Sequence, residues 1–99
     1  MGRPTARLGD MTAHGGPLQP GPGSPDVIIG GRPAWRAGKD LHICPLATPT
    51  PHGGGVVDEG SSSVLINGYP ATRICEKIIE PVGGPDLITA GDFTVLIGD

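Results

Sequence analysis

The chain has 99 residues, a formal net charge of −3 and only three aromatic side chains, Trp35, Tyr69 and Phe93. That length points to one domain, 1–99, whose core is too small to stabilise it by burial alone, so a metal or disulfide staple is expected. The lack of a basic run excludes phosphate-driven nucleic-acid binding, and the longest apolar runs, Val27-Ile28-Ile29 and Val64-Leu65-Ile66, fall far short of a membrane span.

Residues 1–7 lack the apolar stretch of a secretory signal. The chain is therefore expected to be made as a soluble cytoplasmic protein, and any exit has to use a route without a cleavable peptide. Eighteen glycines and 12 prolines would on composition alone suggest a disordered, low-complexity segment. The apolar residues argue otherwise, because they fall in repeated blocks.

The first block is Ser24-Pro-Asp-Val-Ile-Ile-Gly-Gly-Arg-Pro-Ala-Trp-Arg36. It aligns without a gap, at an offset of 37 residues, with Ser61-Ser-Ser-Val-Leu-Ile-Asn-Gly-Tyr-Pro-Ala-Thr-Arg73. A third copy is divided between the chain ends. Asp92-Phe-Thr-Val-Leu-Ile-Gly-Asp99 supplies its first half and Gly2-Arg-Pro-Thr-Ala-Arg7 its second. A repeat of this kind is one structural unit that buries its apolar face only against its neighbours. Three copies with a split third predict a closed three-fold arrangement in which the termini meet.

Each copy reads as a short β-hairpin. The β-branched triplets suit strands, and Gly30-Gly31 and Asn67-Gly68 are the dipeptides of primed turns, where both central residues take positive φ. Pro33 and Pro70 fit strand starts or edges. No window carries helical apolar spacing unbroken by Gly or Pro, and residues 77–80 allow one short turn at most. The expected fold is all-β, with long Gly/Pro-rich loops over residues 14–23, 44–60 and 76–91. Loops of that length are usually functional or tied down. Spaced by one repeat, they should leave the same end of the molecule, opposite the turns, giving a tapering shape.

All three histidines and one cysteine lie in or beside these loops. His42 and Cys44 are two apart and share a face if extended; His52 and His14 come from neighbouring loop segments. Three imidazoles and a thiolate make a closed tetrahedral zinc site, structural because no position is left for water or substrate. Such a zinc contributes an apparent ~10–16 kcal/mol to folding. Cys75 is the alternative fourth ligand, and a Cys44–Cys75 disulfide is the remaining possibility in an oxidising compartment. Arg7, Arg36 and Arg73 are followed by Asp10, Asp40 and Glu76, read either as a ring of charges that orients a partner or as repeated surface ion pairs worth ~0–1 kcal/mol each. Trp35 reads as packing or as a partner anchor. Ser61-Ser62-Ser63 has no base nearby in sequence, and nothing positions Asp58 and Glu59 as an acid–base pair, so no catalytic residue is assigned.

Arg3-Pro-Thr-Ala-Arg7, Arg32-Pro-Ala-Trp-Arg36 and Tyr69-Pro-Ala-Thr-Arg73 resemble the Pro-Ala-Ala-Arg motif of the PAAR family, each with one alanine replaced. The resemblance covers essentially the whole chain, departing at Cys75-Glu76, where the family tends to have Gly-Asp. It implies a pointed β-cone, not an enzyme, that caps the trimeric spike protein VgrG (valine-glycine repeat protein G) of a type VI secretion or related contractile injection system. It also implies one structural zinc near the point, held by His14, His42, Cys44 and His52. The turns at Gly30, Gly31, Asn67 and Gly68 are then expected near the base that meets the spike, and the point is driven through a target membrane. No fused effector domain is expected within 1–99, so effectors would bind separately. A small zinc enzyme with an open coordination position and a stand-alone zinc-binding interaction module are the competing readings.

Overall fold

The computed structural model describes residues 2–45, 53–81 and 84–98. Among them there is no helix. The strands in chain order are β1 (Arg3–Thr5), β2 (Pro20–Gly21), β3 (Ile28–Ile29), β4 (Arg32–Pro33), β5 (Leu41–Ile43), β6 (Gly54–Gly55), β7 (Leu65–Ile66), β8 (Tyr69–Pro70), β9 (Lys77–Glu80), β10 (Gly84–Leu87) and β11 (Asp92–Ile97). Such short strands follow from the density of Gly and Pro, which cap every apolar run within a few residues.

The three predicted hairpins form with one register. Ile28 opposes Pro33 and Ile29 opposes Arg32; Leu65 opposes Pro70 and Ile66 opposes Tyr69. In the split copy, Leu96 opposes Pro4 and Ile97 opposes Arg3, joining β11 to β1. The turn pairs have positive φ throughout, 58° and 84° at Gly30-Gly31 and 53° and 84° at Asn67-Gly68, as a primed turn requires. Gly98 and Gly2 occupy the matching places in the third copy. The hairpin alternation turns Ile29, Ile66 and Ile97 inward, where they pack with Ala34 and Ala71. Each buried isoleucine contributes about 1.5–3 kcal/mol.

The copies are joined into a closed ring. The Ala6 amide donates to Thr72 O (2.9 Å), the Thr72 amide to Trp35 O (3.2 Å) and the Trp35 amide to Ala6 O (3.0 Å). These three residues are equivalent in the repeat, so each copy bonds the next and the third returns to the first. Leu8, Ala37 and Ile74 repeat the pattern, donating to Pro33, Pro70 and Pro4 at 2.9, 2.9 and 3.0 Å. The molecule measures 36 × 23 × 23 Å, one long axis and two equal short ones, as a three-fold stack along that axis requires.

The three connections expected as loops carry more structure than the sequence reading allowed. β9 and β10 form an antiparallel hairpin, with Glu80 opposite Gly84 and Ile78 opposite Asp86, where residues 77–80 were expected to hold only a turn. β5 pairs with β2 on one side and β6 on the other. Bridges Met11–Pro17, Val57–Ile78 and Thr12–Ile88 close the circuit. The outgoing and returning limbs of all three connections thus zip into a small closed ring of extended segments. Glycine makes this possible at the crowded points: a Cβ on Gly54 would fall on the His42 carbonyl, and one on Gly55 on the Ile79 carbonyl. Leu18, Val57 and Ile88, where the limbs return, fill the interior with Ala6, Trp35 and Ile78.

Trp35 is fully buried; it packs the core and is not a partner anchor. The arginine–acid pairs are also buried, which corrects the expectation of surface pairs. Asp10 accepts from Arg7 Nε at 3.1 Å and Nη2 at 3.0 Å, and Asp40 accepts from Arg36 Nε at 3.0 Å and Nη2 at 2.8 Å. Glu76 accepts from Arg73 Nε at 2.8 Å. The hydrogen bonds that Arg7 donates to Asp10, followed by the charge of Asp10, raise the Arg7 pKa above its ordinary value, and Asp40 does the same for Arg36.

Candidate metal centre

The ring of extended segments fixes which side chains meet at its far end. Counting from the acids Asp10, Asp40 and Glu76, the residues two further on are Thr12, His42 and Ile78, and all are buried. The residues four further on are His14, Cys44 and Glu80. Cys44 and Glu80 are buried and His14 is half-buried. The residues between them, Met11, Ala13, Leu41, Ile43, Lys77 and Ile79, are exposed. This is the two-residue alternation of a strand, repeated in three copies, and it stacks two inward layers with His14, Cys44 and Glu80 in the outer one.

Asp86 joins them from β10. The ligating atoms of His14, Cys44, Glu80 and Asp86 all lie within 4.8 Å of one another. His14 Nδ1 is the common point, 3.1 Å from Glu80 Oε1, 3.6 Å from Cys44 Sγ and 3.8 Å from Asp86 Oδ2. The His14 amide donates to Asp86 Oδ1 at 2.8 Å, which fixes the carboxylate. Asp86 Oδ2 is buried without a hydrogen bond, and so are both ring nitrogens of His42, whose Nε2 lies 3.3 Å from it. A buried carboxylate oxygen is costly unless a donor or a cation satisfies it; a protonated His42 ring or a bound cation would do so here. An imidazole, a thiolate and two carboxylates suit a divalent first-row metal such as zinc.

Of the residues singled out from sequence, the structure brings His14 and Cys44 together. It sets His42 beside them against Asp86, one layer down. His52 lies outside the described residues. Cys75 is not in this group: it is exposed and unpaired by any disulfide, at the place of Gly9 and Gly38. The turn residues Gly30, Gly31, Asn67 and Gly68 belong to the hairpins, not to the centre. Glu80 and Asp86 were missed. The signal for Glu80 was present, since the recurring acid followed four residues later by His14 and Cys44 leads to Glu80 in the third copy. Asp86 had no comparable mark, because its inward aim depends on the register of the β9–β10 hairpin.

These features define a pseudo-three-fold β protein with hairpin turns and a cluster of metal-binding side chains. The sequence model of the PAAR motif family matches residues 8–79, and the chain belongs to that family. The match spans the first two motif copies, while the β1–β11 pairing supplies the third from outside it. Neither the curated proteins nor the solved structures contain a match to this chain. The motif implies a role of the spike-tip type in type VI secretion.

Proposed function

We propose that this protein caps and sharpens the trimeric VgrG-like spike of a type VI secretion or related contractile injection system, with the turn end seated on the spike and the metal end forming a rigid conical point. In this reading it is a mechanical part and not an enzyme. It is made in the cytoplasm, exported on the spike and driven through a target membrane, with effectors bound separately. Its metal is one structural zinc.

One observation carries the reading. Ile28, Leu65 and Leu96, equivalent in the three copies, are 55, 62 and 57% exposed. Large apolar side chains left in solvent at three symmetry-related places suit a self-repeating partner surface. A monomer with this internal symmetry offers the same contact to each subunit of a trimer. The neighbouring Gly30, Gly31, Asn67 and Gly68 keep the turns tight and let the partner approach closely.

Co-purification with the host's spike trimer tests this. The expected complex holds one chain per trimer and is lost when Ile28, Leu65 and Leu96 are all replaced by aspartate. A folded chain that fails to associate with the trimer sinks the proposal, as does an undiminished complex with the triple variant.

A further inference from the structure

We propose that the outward aliphatic side chains of the ring of extended segments form a band that partitions into a lipid bilayer, so that this end of the molecule holds to a membrane with no spike behind it. The proposal rests on reading the metal end as the part that meets a target membrane, and it adds the residues and the occupant, the acyl chains just below the headgroups.

The band is closed around the long axis. Met11, Leu41, Ile43, Val56, Ile79 and Leu87 are between 37 and 50% exposed. They come from all three connections, from outgoing and returning limbs alike. A protein seated on a narrow body covers one flank of it. A bilayer surrounds whatever enters it and meets every flank at once.

Composition points the same way. Protein interfaces are anchored chiefly by Trp, Tyr and Arg, and the limbs over residues 11–21, 41–45, 53–58, 77–81 and 84–89 contain none of these, nor Phe. Their exposed charges are Lys77 and Asp58, whose backbones are joined by a bond from the Asp58 amide to Lys77 O at 3.2 Å. Lys77 precedes Ile79 on an outgoing limb and Asp58 follows Val56 on a returning one, so both stand on the hairpin side of those residues. That is the side of headgroups and water, and a lysine stem lies along apolar surface with its charge turned outward.

The backbone meets the remaining condition. Lipid supplies no hydrogen bonds, so extended chain enters it only as a closed ring without an edge. Each limb here pairs with both its neighbours. The Ala13 amide donates to Leu87 O at 2.7 Å, which closes the last limb on the first. Successive outward residues of a strand are about 7 Å apart, so the step from Leu41 to Ile43 fits the roughly 5–10 Å to which amphipathic surfaces sink into a bilayer.

The test is flotation of the full zinc-loaded chain with phosphatidylcholine vesicles. The wild type is expected to float with them. The variant carrying Ile43→Thr, Ile79→Thr and Leu87→Thr, which keeps strand-forming residues, is expected to partition about tenfold less or weaker still. Unchanged zinc content checks its folding, and the single variants Ile43→Thr and Ile79→Thr, each with a smaller loss, serve if the triple variant does not fold. Aspartates at Ile28, Leu65 and Leu96 should leave flotation intact while abolishing association with the spike, so the two faces are read separately. Wild-type chain that stays in solution overturns the proposal, as does undiminished flotation of the folded threonine variants. Self-association of the wild type that those variants abolish would give the band to a second copy of the chain and overturn it equally.

Discussion

Cys75 holds a φ of +68° at the position that Gly38 fills at +75° in the preceding copy and Gly9 fills at +90° in the split one. In all three the amide donates to the returning limb of its own connection, Gly9 to Leu18, Gly38 to Val57 and Cys75 to Ile88, at 2.8, 3.0 and 2.8 Å. The bond is kept in the third copy despite a side chain that disfavours the left-handed conformation. Replacing Cys75 by glycine should relieve that strain, offset in part by the greater freedom of glycine in the unfolded chain. The net gain expected is about 0.5–1 kcal/mol, read as a higher urea midpoint. Cys75→Ala keeps a Cβ and should give no such gain; equal effects of the two substitutions would show that φ is not the cause.

The buried arginine–acid pairs should dominate the polar contribution to stability. Asp40 accepts from the Arg36 guanidinium and also from the Gly23 amide at 3.0 Å, so Asp40→Ala strands both inside the protein. The expected loss is about 3–5 kcal/mol. Arg3 is a contrast: its side chain is 38% exposed, 3.7 Å from Glu76. Arg3→Ala should cost less than about 1 kcal/mol through that ion pair. Denaturant melts of the two variants check the ranking, and comparable losses would contradict it.

Part of the acid sensitivity should be traceable to a seam between the first two copies. Asp26 in the first copy accepts from the Asn67 side-chain amide of the second at 2.8 Å. That bond, followed by one from Ser24, holds the Asp26 carboxyl below its ordinary value of 3.8. The folded value is the lower one, so the stabilisation is present above the ordinary carboxylate range. It is lost as pH falls through the folded value. The gap in urea midpoint between the wild type and Asp26→Asn should hold steady above about pH 5 and shrink as the medium is acidified below 3.8. A gap of the same size at both ends of that range would remove Asp26 from the account. Asp92 is held down in the same direction, chiefly by the Thr94 hydroxyl and then its amide.

Much of the architecture was legible because the repeat is written in short, strongly signed units. Asn67-Gly68 and Gly30-Gly31 can do little else but turn, and aligning them on Arg36 and Arg73 carried the reading across the chain ends to Arg7. Lys77-Ile-Ile-Glu80 was harder. Four residues with two adjacent isoleucines carry no decisive period, and it is pairing with Gly84–Leu87 that makes them a strand. The burial of Asp40 and Glu76 was likewise hidden. An arginine three or four residues from an acid looks the same in sequence whether it lies on the surface or inside a ring. His14 and Cys44 could be chosen by residue type, but a carboxylate is so common on protein surfaces that Glu80 stands out only once the copies are superposed.

The placement of Gly98 and Gly2 across from each other, beyond paired Ile97 and Arg3, makes the position of the chain break a matter of choice as far as the ring is concerned. Joining residue 98 directly to residue 2 would recreate a two-residue turn like Asn67-Gly68. The polypeptide could then be opened at Gly30-Gly31 or Asn67-Gly68 instead. Circular permutants cut there would move any attached cargo by a third of a revolution about the long axis while keeping the strand pairing of all three hairpins.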